Sequence, residues 1–181
     1  MVFVKKKIFV TGVAGFLGSH LAEKLVELGH DVIGIDNMLG GYEDNVPKNI
    51  EFHKGDCCDF KKVQSIMKGV DIVYHCAATA HEGLSVFSPY EITKNNYLAS
   101  VAIFSAAVNH KVKRIIFCSS MARYGEQATP FTEKMKPAPV DPYAISKVAS
   151  EEVLKNLCDL NNIEWVIAVP HNIIGPRQKY D

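Results

Sequence analysis

Apolar residues in this chain fall into short unbroken runs, separated by longer stretches with a three-to-four-residue period. Lys7–Thr11 (KIFVT) is apolar without alternation and stops at Gly12, the pattern of a strand buried in a parallel sheet. Leu17, Leu21, Leu25 and Leu28 follow at spacings of four, four and three. That stripe predicts a helix from about Gly15 to Leu28, stopped by Gly29. Asp31–Asp36 (DVIGID) reads as a second strand, Ile50–Lys54 as a weaker third, Lys61–Met67 as a short helix and Asp71–Cys76 (DIVYHC) as a fourth strand. Pro89–Val108 reads as one long helix with Pro89 in its first turn. Arg114–Ser119 (RIIFCS) is the fifth strand, Tyr143–Asp159 another helix and Glu164–Val169 the sixth strand. Two irregular stretches remain, Met38–Lys48 and the proline-bearing Tyr124–Asp141.

Six apolar strands alternating with helices predict an α/β fold, a doubly wound parallel sheet covered on both faces. Right-handed crossovers then place a ligand crevice at the carboxyl ends of the strands. No repeat, low-complexity tract or Pro/Gly/Ser linker divides residues 1–181, so one domain is expected. Composition narrows the classes further. Hydrophobic residues at 48% and charged residues at 22% are ordinary for a soluble protein. Twenty Lys+Arg balance twenty Asp+Glu, which leaves no basic field to hold a nucleic acid or an anionic membrane. No stretch approaches the ~20 apolar residues of a membrane span. Lys5-Lys6-Lys7 before Ile8-Phe9-Val10 imitates a secretory signal, but Gly12, Gly15 and Gly18 interrupt the apolar region. Five cysteines without a C-x-x-C spacing disfavour a disulfide scaffold or zinc knuckle and fit a reducing cytoplasm. The seven histidines show no paired spacing, so no metal site is expected.

Candidate chemistry begins at the first turn. Thr11-Gly12-Val13-Ala14-Gly15-Phe16-Leu17-Gly18 is a G-x-x-G-x-x-G sequence between a strand and a helix. Gly12 permits the tight turn, Gly15 lets the backbone approach a pyrophosphate, and Gly18 allows close helix packing. The helix N-terminus offers N–H groups and a positive dipole end to phosphates. A glycine-rich turn also serves packing alone; here an acidic strand end, Asp36, follows and favours a nucleotide. Its carboxylate can accept from both ribose hydroxyls and would repel a 2′-phosphate, which predicts NAD over NADP. Asp56 can accept from the adenine amino group or serve as a turn residue beside Gly55. Tyr143 and Lys147, four apart on a helix, share one face. An ammonium near a phenol favours the phenolate and brings its pKa of about 10 toward the working range. Cys118-Ser119-Ser120 at the end of strand five adds a hydroxyl on the same rim.

Taken with His75-Cys76-Ala77-Ala78, Asn95-Asn96, Tyr124-Gly125 and Asn172 with Gly175-Pro176-Arg177, these motifs resemble the extended short-chain dehydrogenase/reductases. The likeness runs along essentially the whole chain and is greatest to the NAD-dependent nucleotide-sugar epimerases related to UDP-glucose 4-epimerase. The resemblance implies that Ser120 and Tyr143 meet the substrate oxygen, with Tyr143 as acid/base. Lys147 would bind the nicotinamide ribose and lower the phenol's pKa. Gly12, Gly15, Phe16, Leu17 and Gly18 would line the pyrophosphate, and Asp36 and Asn37 the adenosine ribose. Asp56 and Cys57 would flank the adenine, while Ala77, Ala78, Thr79, Asn95, Ser119, Pro170 and His171 line the cofactor trough. Asn172 matches a substrate-binding position. A homodimer through two helices per subunit is implied, those corresponding to Pro89–Val108 and Tyr143–Asp159.

Ser120-Met121-Ala122-Arg123 carries no carboxylate where the family's dehydratases resemble one another in an acidic pair, which favours epimerization of a UDP-sugar through a 4-keto intermediate. A dehydratase, decarboxylase or reductase on a nucleotide sugar is the alternative within enzymes. A non-catalytic NAD-binding regulatory protein is the alternative outside them. Arg123 and His171 depart from the family pattern, which usually has a small or apolar residue at the first position and an aromatic one at the second. Relatives carry a further C-terminal region that holds the nucleotide sugar. The resemblance therefore implies that this region is largely absent, and that the 181 residues bind NAD without turning over a sugar nucleotide.

Overall fold

In the computed structural model, residues 4–179 are described. Six parallel strands form one sheet in the order β3-β2-β1-β4-β5-β6. They are β1 Lys7–Thr11, β2 Asp31–Asp36, β3 Glu51–Lys54, β4 Ile72–His75, β5 Arg114–Cys118 and β6 Glu164–Ala168. The helices are α1 Phe16–Glu27, α2 Phe60–Ile66, α3 Glu82–Ser85, α4 Pro89–Ile92, α5 Ala99–Asn109 and α6 Pro142–Asn161. Strand order reverses between β1 and β4, and such a switch point opens a crevice at the carboxyl edge of the sheet. The doubly wound Rossmann arrangement expected from the strand pattern is thus present.

The two faces are not covered alike. Phe9, Ile33, Ile35, Val73, Ile115 and Phe117 pack beneath α2, α5 and α6 in the larger core. On the opposite face Ile8, Val10 and Val32 pack against Ala22 and Leu25 of α1. The expectation of cover on both faces therefore needs correction at β6, where Val166 is 47% exposed. Among the described residues no helix lies against that end of the second face.

Pro89–Val108 is not one uniform helix. A π-helical segment, Thr93–Leu98, separates α4 from α5. Its wider turn accommodates an extra residue, and it presents Asn95 to the crevice while Asn96 holds Thr79. Asn96 accepts from the Thr79 backbone N–H at 2.7 Å and donates to its carbonyl at 3.2 Å. Hydrophobic periodicity does not register such a side-chain clamp.

Candidate active site

The crevice is a cleft of ≈ 820 Å³ along the carboxyl edge of the sheet. Every candidate residue singled out from the sequence lines it, from Gly12 at one end to Asn172 at the other. At the glycine turn, Gly12 has φ +71°, and a Cβ there would stand 2.9 Å from the Ala77 backbone. A Cβ on Gly18 would stand 2.0 Å from the Gly12 carbonyl oxygen, so only glycine lets α1 start this close to β1. Gly15 is the N-cap of α1 and brings no side chain to it, and the first turn holds no acid. The N–H groups of Phe16, Leu17 and Gly18 are left facing the cleft with the positive end of the helix dipole. This donor set fits a pyrophosphate.

Asp36 is buried at the end of β2. One of its oxygens accepts from the Ala14 N–H at 2.9 Å and the other from the Met38 N–H at 2.8 Å. Two backbone amides thus fix the carboxylate against the cleft wall, beside Asn37. At the far adenosine end, Asp56 accepts from the Cys58 N–H at 2.8 Å and lies 3.8 Å from the Lys94 ammonium. Cys57 next to it is buried, and desolvation raises its thiol's pKa well above the ordinary value.

The candidate catalytic side chains converge from two elements. Asp141 caps α6 by accepting from the Ala144 N–H at 2.8 Å, and Pro142 occupies the first turn. Tyr143 and Lys147 then face the cleft one turn apart, both buried. Ser120 stands two residues beyond the end of β5 and caps a 3-10 turn, Met121–Tyr124, accepting from the Ala122 N–H at 3.2 Å. It lines the same cleft as Tyr143, and its hydroxyl favours the ionised form of the phenol. The Lys147 ammonium donates to the Cys118 carbonyl at 2.8 Å and lies 5.8 Å from the Tyr143 ring centroid.

The expected lowering of the phenol's pKa by Lys147 is not met in this arrangement. Burial dominates and holds Tyr143 above its ordinary value, with the Ser120 hydroxyl pulling the other way. Burial also lowers Lys147, opposed by the nearby Cys118, Cys76 and Glu151. Desolvation pushes both groups toward their neutral forms.

The sequence matches the model of the NAD dependent epimerase/dehydratase family over residues 8–181. The chain belongs to this family. A putative UDP-glucose 4-epimerase of Methanocaldococcus jannaschii is 36% identical over 174 residues, covering 94% of this chain and 57% of the relative. The crystal structure of Thermotoga maritima UDP-glucose 4-epimerase with UDP-glucose superposes with a TM-score of 0.92 at 33% identity. That match covers 96% of this chain and 58% of the Thermotoga chain. Thermus thermophilus UDP-glucose 4-epimerase in complex with NAD gives 0.92 at 34% identity, covering 96% and 57%. The chain thus spans a little over half the length of these relatives.

Within this family frame the two departures find partners. Arg123 reaches the buried Glu151 carboxylate at 3.1 Å. His171 stacks on Phe131 with ring centroids 6.1 Å apart, and Phe131 stacks in turn on Tyr124 at 4.9 Å. The irregular stretch after Ser120 is thereby tied to the cleft rim. Sequence reasoning missed Glu151, although it stands four residues after Lys147 and continues the Tyr143–Lys147 row.

It also missed a buried chain under the sheet edge. Thr11 Oγ1 lies 2.7 Å from His75 Nδ1, and His75 Nε2 lies 2.9 Å from Ser100 Oγ. Ser100 donates to the Asn96 carbonyl, so its oxygen accepts from Nε2–H and Nδ1 accepts from Thr11. Thr11 Oγ1 meanwhile accepts from the Cys76 and Ala77 N–H groups at 3.1 and 3.0 Å. Neutral His75 therefore fixes the loop that forms the middle of the trough. Burial holds its pKa down to about 3.

Proposed function

We propose that residues 1–181 form the NAD-binding domain, carrying the catalytic Ser120, Tyr143 and Lys147, of a nucleotide-sugar epimerase, with a UDP-sugar as substrate and the 4-position as the reacting centre. The observation that carries this reading is the convergence of Ser120, Tyr143 and Lys147 in the same cleft as the glycine turn and Asp36. Pyrophosphate would lie on the Phe16–Gly18 amides, and the adenosine ribose on Asp36 and Asn37. Asp56 and Cys57 would flank the adenine, with Ala77, Ala78, Thr79, Asn95, Ser119, Pro170 and His171 along the trough. NAD, when bound, supplies the hydride acceptor and donor.

Tyr143 takes the proton of the sugar 4-hydroxyl as the carbon–hydrogen bond breaks, and returns it after the 4-keto sugar has presented its other face. Ser120 donates to the same oxygen and holds it beside the phenol. Lys147 binds the nicotinamide ribose; freed from the Cys118 carbonyl, its ammonium also favours the phenolate, opposing the burial that raises Tyr143. Asn172 meets the substrate's diphosphate side. Met121 stands in the cleft directly after Ser120, and the segment Ser120-Met121-Ala122-Arg123 carries no carboxylate of the kind that would drive elimination of water, which supports epimerization over dehydration. The family-like pairing of two helices per subunit, and a cytoplasmic location, belong to the same proposal.

Calorimetric titration of the chain with NAD, and conversion of UDP-glucose to UDP-galactose by the full-length protein, test the reading. Binding with turnover is expected. Binding without turnover across a panel of UDP-sugars would favour a regulatory NAD-binding protein, and 4-keto-6-deoxy products a dehydratase.

A further inference from the structure

The Arg123–Glu151 pair lies directly behind the reacting groups, and the acid–base roles given above leave it without a purpose. The two side chains are 12% and 0% exposed. Glu151 lies two turns along α6 from Tyr143 and one from Lys147, on the same helical row. Its second carboxylate oxygen accepts a hydrogen bond from the Ser119 hydroxyl. Arg123 belongs to the 3-10 turn that Ser120 caps, and its guanidinium lies 5.3 Å from the Tyr124 ring centroid. One carboxylate on α6 therefore grips the residues on either side of Ser120, while Tyr143 on the same helix meets Ser120 itself.

Stability alone accounts poorly for such a pair. Removing two charges from water cancels much of their attraction, and apolar residues of similar volume often serve as well. Arg123 Nε is moreover buried without a hydrogen bond, a cost that a purely structural contact has no reason to carry. What the charges do supply is a fixed register between the β5 end and α6, the two elements that bring Ser120 and Tyr143 together.

We propose that Arg123 and Glu151 are positioning residues, clamping the Ser119–Tyr124 turn onto α6 so that Ser120 and Tyr143 hold a common substrate oxygen. The proposal rests on the acid–base reading of Tyr143. Its test uses the full-length protein with Arg123→Met, Glu151→Met and both together, measuring melting temperature, NAD affinity, sugar KM and kcat. Each single variant leaves a buried unpaired charge and is expected to melt earlier. The double variant is expected to recover its melting temperature and keep NAD affinity and KM within about threefold. Its kcat is expected to stay low by roughly 10- to 100-fold, because reacting groups displaced by a fraction of an ångström lose rate before they lose binding.

Recovery of kcat together with melting temperature would overturn the proposal and leave the pair a structural one. Should the double variant not fold, Arg123→Lys carries the test: it keeps the charge without the planar fork, and kcat is expected to fall with KM unchanged. Wild-type kcat in that variant would overturn the proposal equally. Tyr143→Phe, run alongside, separates the two layers. Wild-type kcat there is failure of the acid–base reading; loss of kcat there, with wild-type kcat in the Arg123/Glu151 variants, is failure of the positioning role alone.

Discussion

Around the glycine turn, the polar groups of the cleft are held by backbone; around Tyr143 they are held by other side chains. Asp36 takes two amide N–H groups, and α1 offers three more to whatever lies above it. At the other end Ser120 meets Tyr143, Ser119 meets Glu151, and Glu151 meets Arg123. Backbone partners there are fewer, the Cys118 carbonyl for Lys147 and the Ala122 N–H for Ser120. The contrast separates two tasks. Fixed amide dipoles recognise a charge whose position and sign do not change. Ionisable side chains kept out of water hold a proton whose position a ligand can change, because their charge states answer to the few charges and hydrogen bonds placed beside them.

The contrast is broken most severely by removing the one group to which the proposed mechanism gives the acid/base role. Tyr143→Phe deletes a hydroxyl and leaves α6, Lys147 and the glycine turn in place. In the full-length protein kcat is expected to fall by roughly 10²–10⁴-fold, the usual worth of a positioned acid/base. NAD affinity, measured by calorimetry, is expected to change by less than about threefold, since a neutral phenol contributes little to holding the dinucleotide. Comparable losses in both quantities would show that the two ends are not separate.

Asp36→Ala attacks the opposite end. A charge-assisted hydrogen bond is worth about 1.5–3 kcal/mol, so loss of the two ribose contacts is expected to lower NAD affinity by at least roughly 10- to 100-fold. Discrimination against NADP should fall with it, because the charge that repels a 2′-phosphate is gone. The variant also leaves the Ala14 and Met38 amides short of an acceptor, so a loss of about 1–3 kcal/mol in unfolding free energy is expected. Equal affinities for NAD and NADP in the unmodified chain would remove Asp36 from this role.

His75 offers a gentler test, since it stands on β4 between the two ends and links Thr11 to Ser100. The folded protein keeps it neutral down to about pH 3, whereas an unfolded chain takes up a proton near pH 6.5. In that window the unfolded state binds more protons, so stability rises with pH and falls as acid is added. One group contributes about 1.4 kcal/mol per pH unit, or roughly 2 kcal/mol lost between pH 6.5 and 5. Urea unfolding of His75→Gln is expected to start from lower stability at pH 7 and to show a shallower decline toward pH 5. An unchanged slope would mean that His75 is charged in the native chain.

The same contrast governs how much of the molecule is legible in its amino-acid sequence. A strand that stops at glycine, a helix that starts within four residues and an acid at the next strand's end are local sequence features, and the nucleotide end is made of them. Tyr143 and Lys147 are legible because both lie on one helical turn. Glu151 is not, because its worth comes from Ser119 and Arg123 in another part of the chain. Nor is the π-helical segment, whose extra residue is held by Asn96 reaching Thr79. The doubly wound arrangement follows from chirality and apolar runs, whereas the bare second face at β6 depends on what packs there, which strand composition does not record.

The smallest expected effect is at Asp56, and it decides between two roles open to that residue. As a turn residue, Asp56 accepts from the Cys58 N–H and stands near Lys94; as part of the adenosine site, it also accepts from the adenine amino group. Both roles predict a small stability loss in Asp56→Ala, since an exposed ion pair at 3.8 Å contributes at most about 1 kcal/mol. They part on binding. One hydrogen bond from the amino group to this part-exposed carboxylate, whose charge solvent and Lys94 screen, is worth about 0.5–1.5 kcal/mol, a two- to twelvefold change in NAD affinity. Asp56→Asn keeps an oxygen that can accept and removes the charge. If the adenine contact is real, affinity should rank unmodified chain, then Asp56→Asn, then Asp56→Ala, while NADP discrimination, which belongs to Asp36, stays constant across the three. Identical NAD affinities in all three would leave Asp56 a turn residue and shorten the backbone-held end of the cleft to the glycine turn and the β2 terminus.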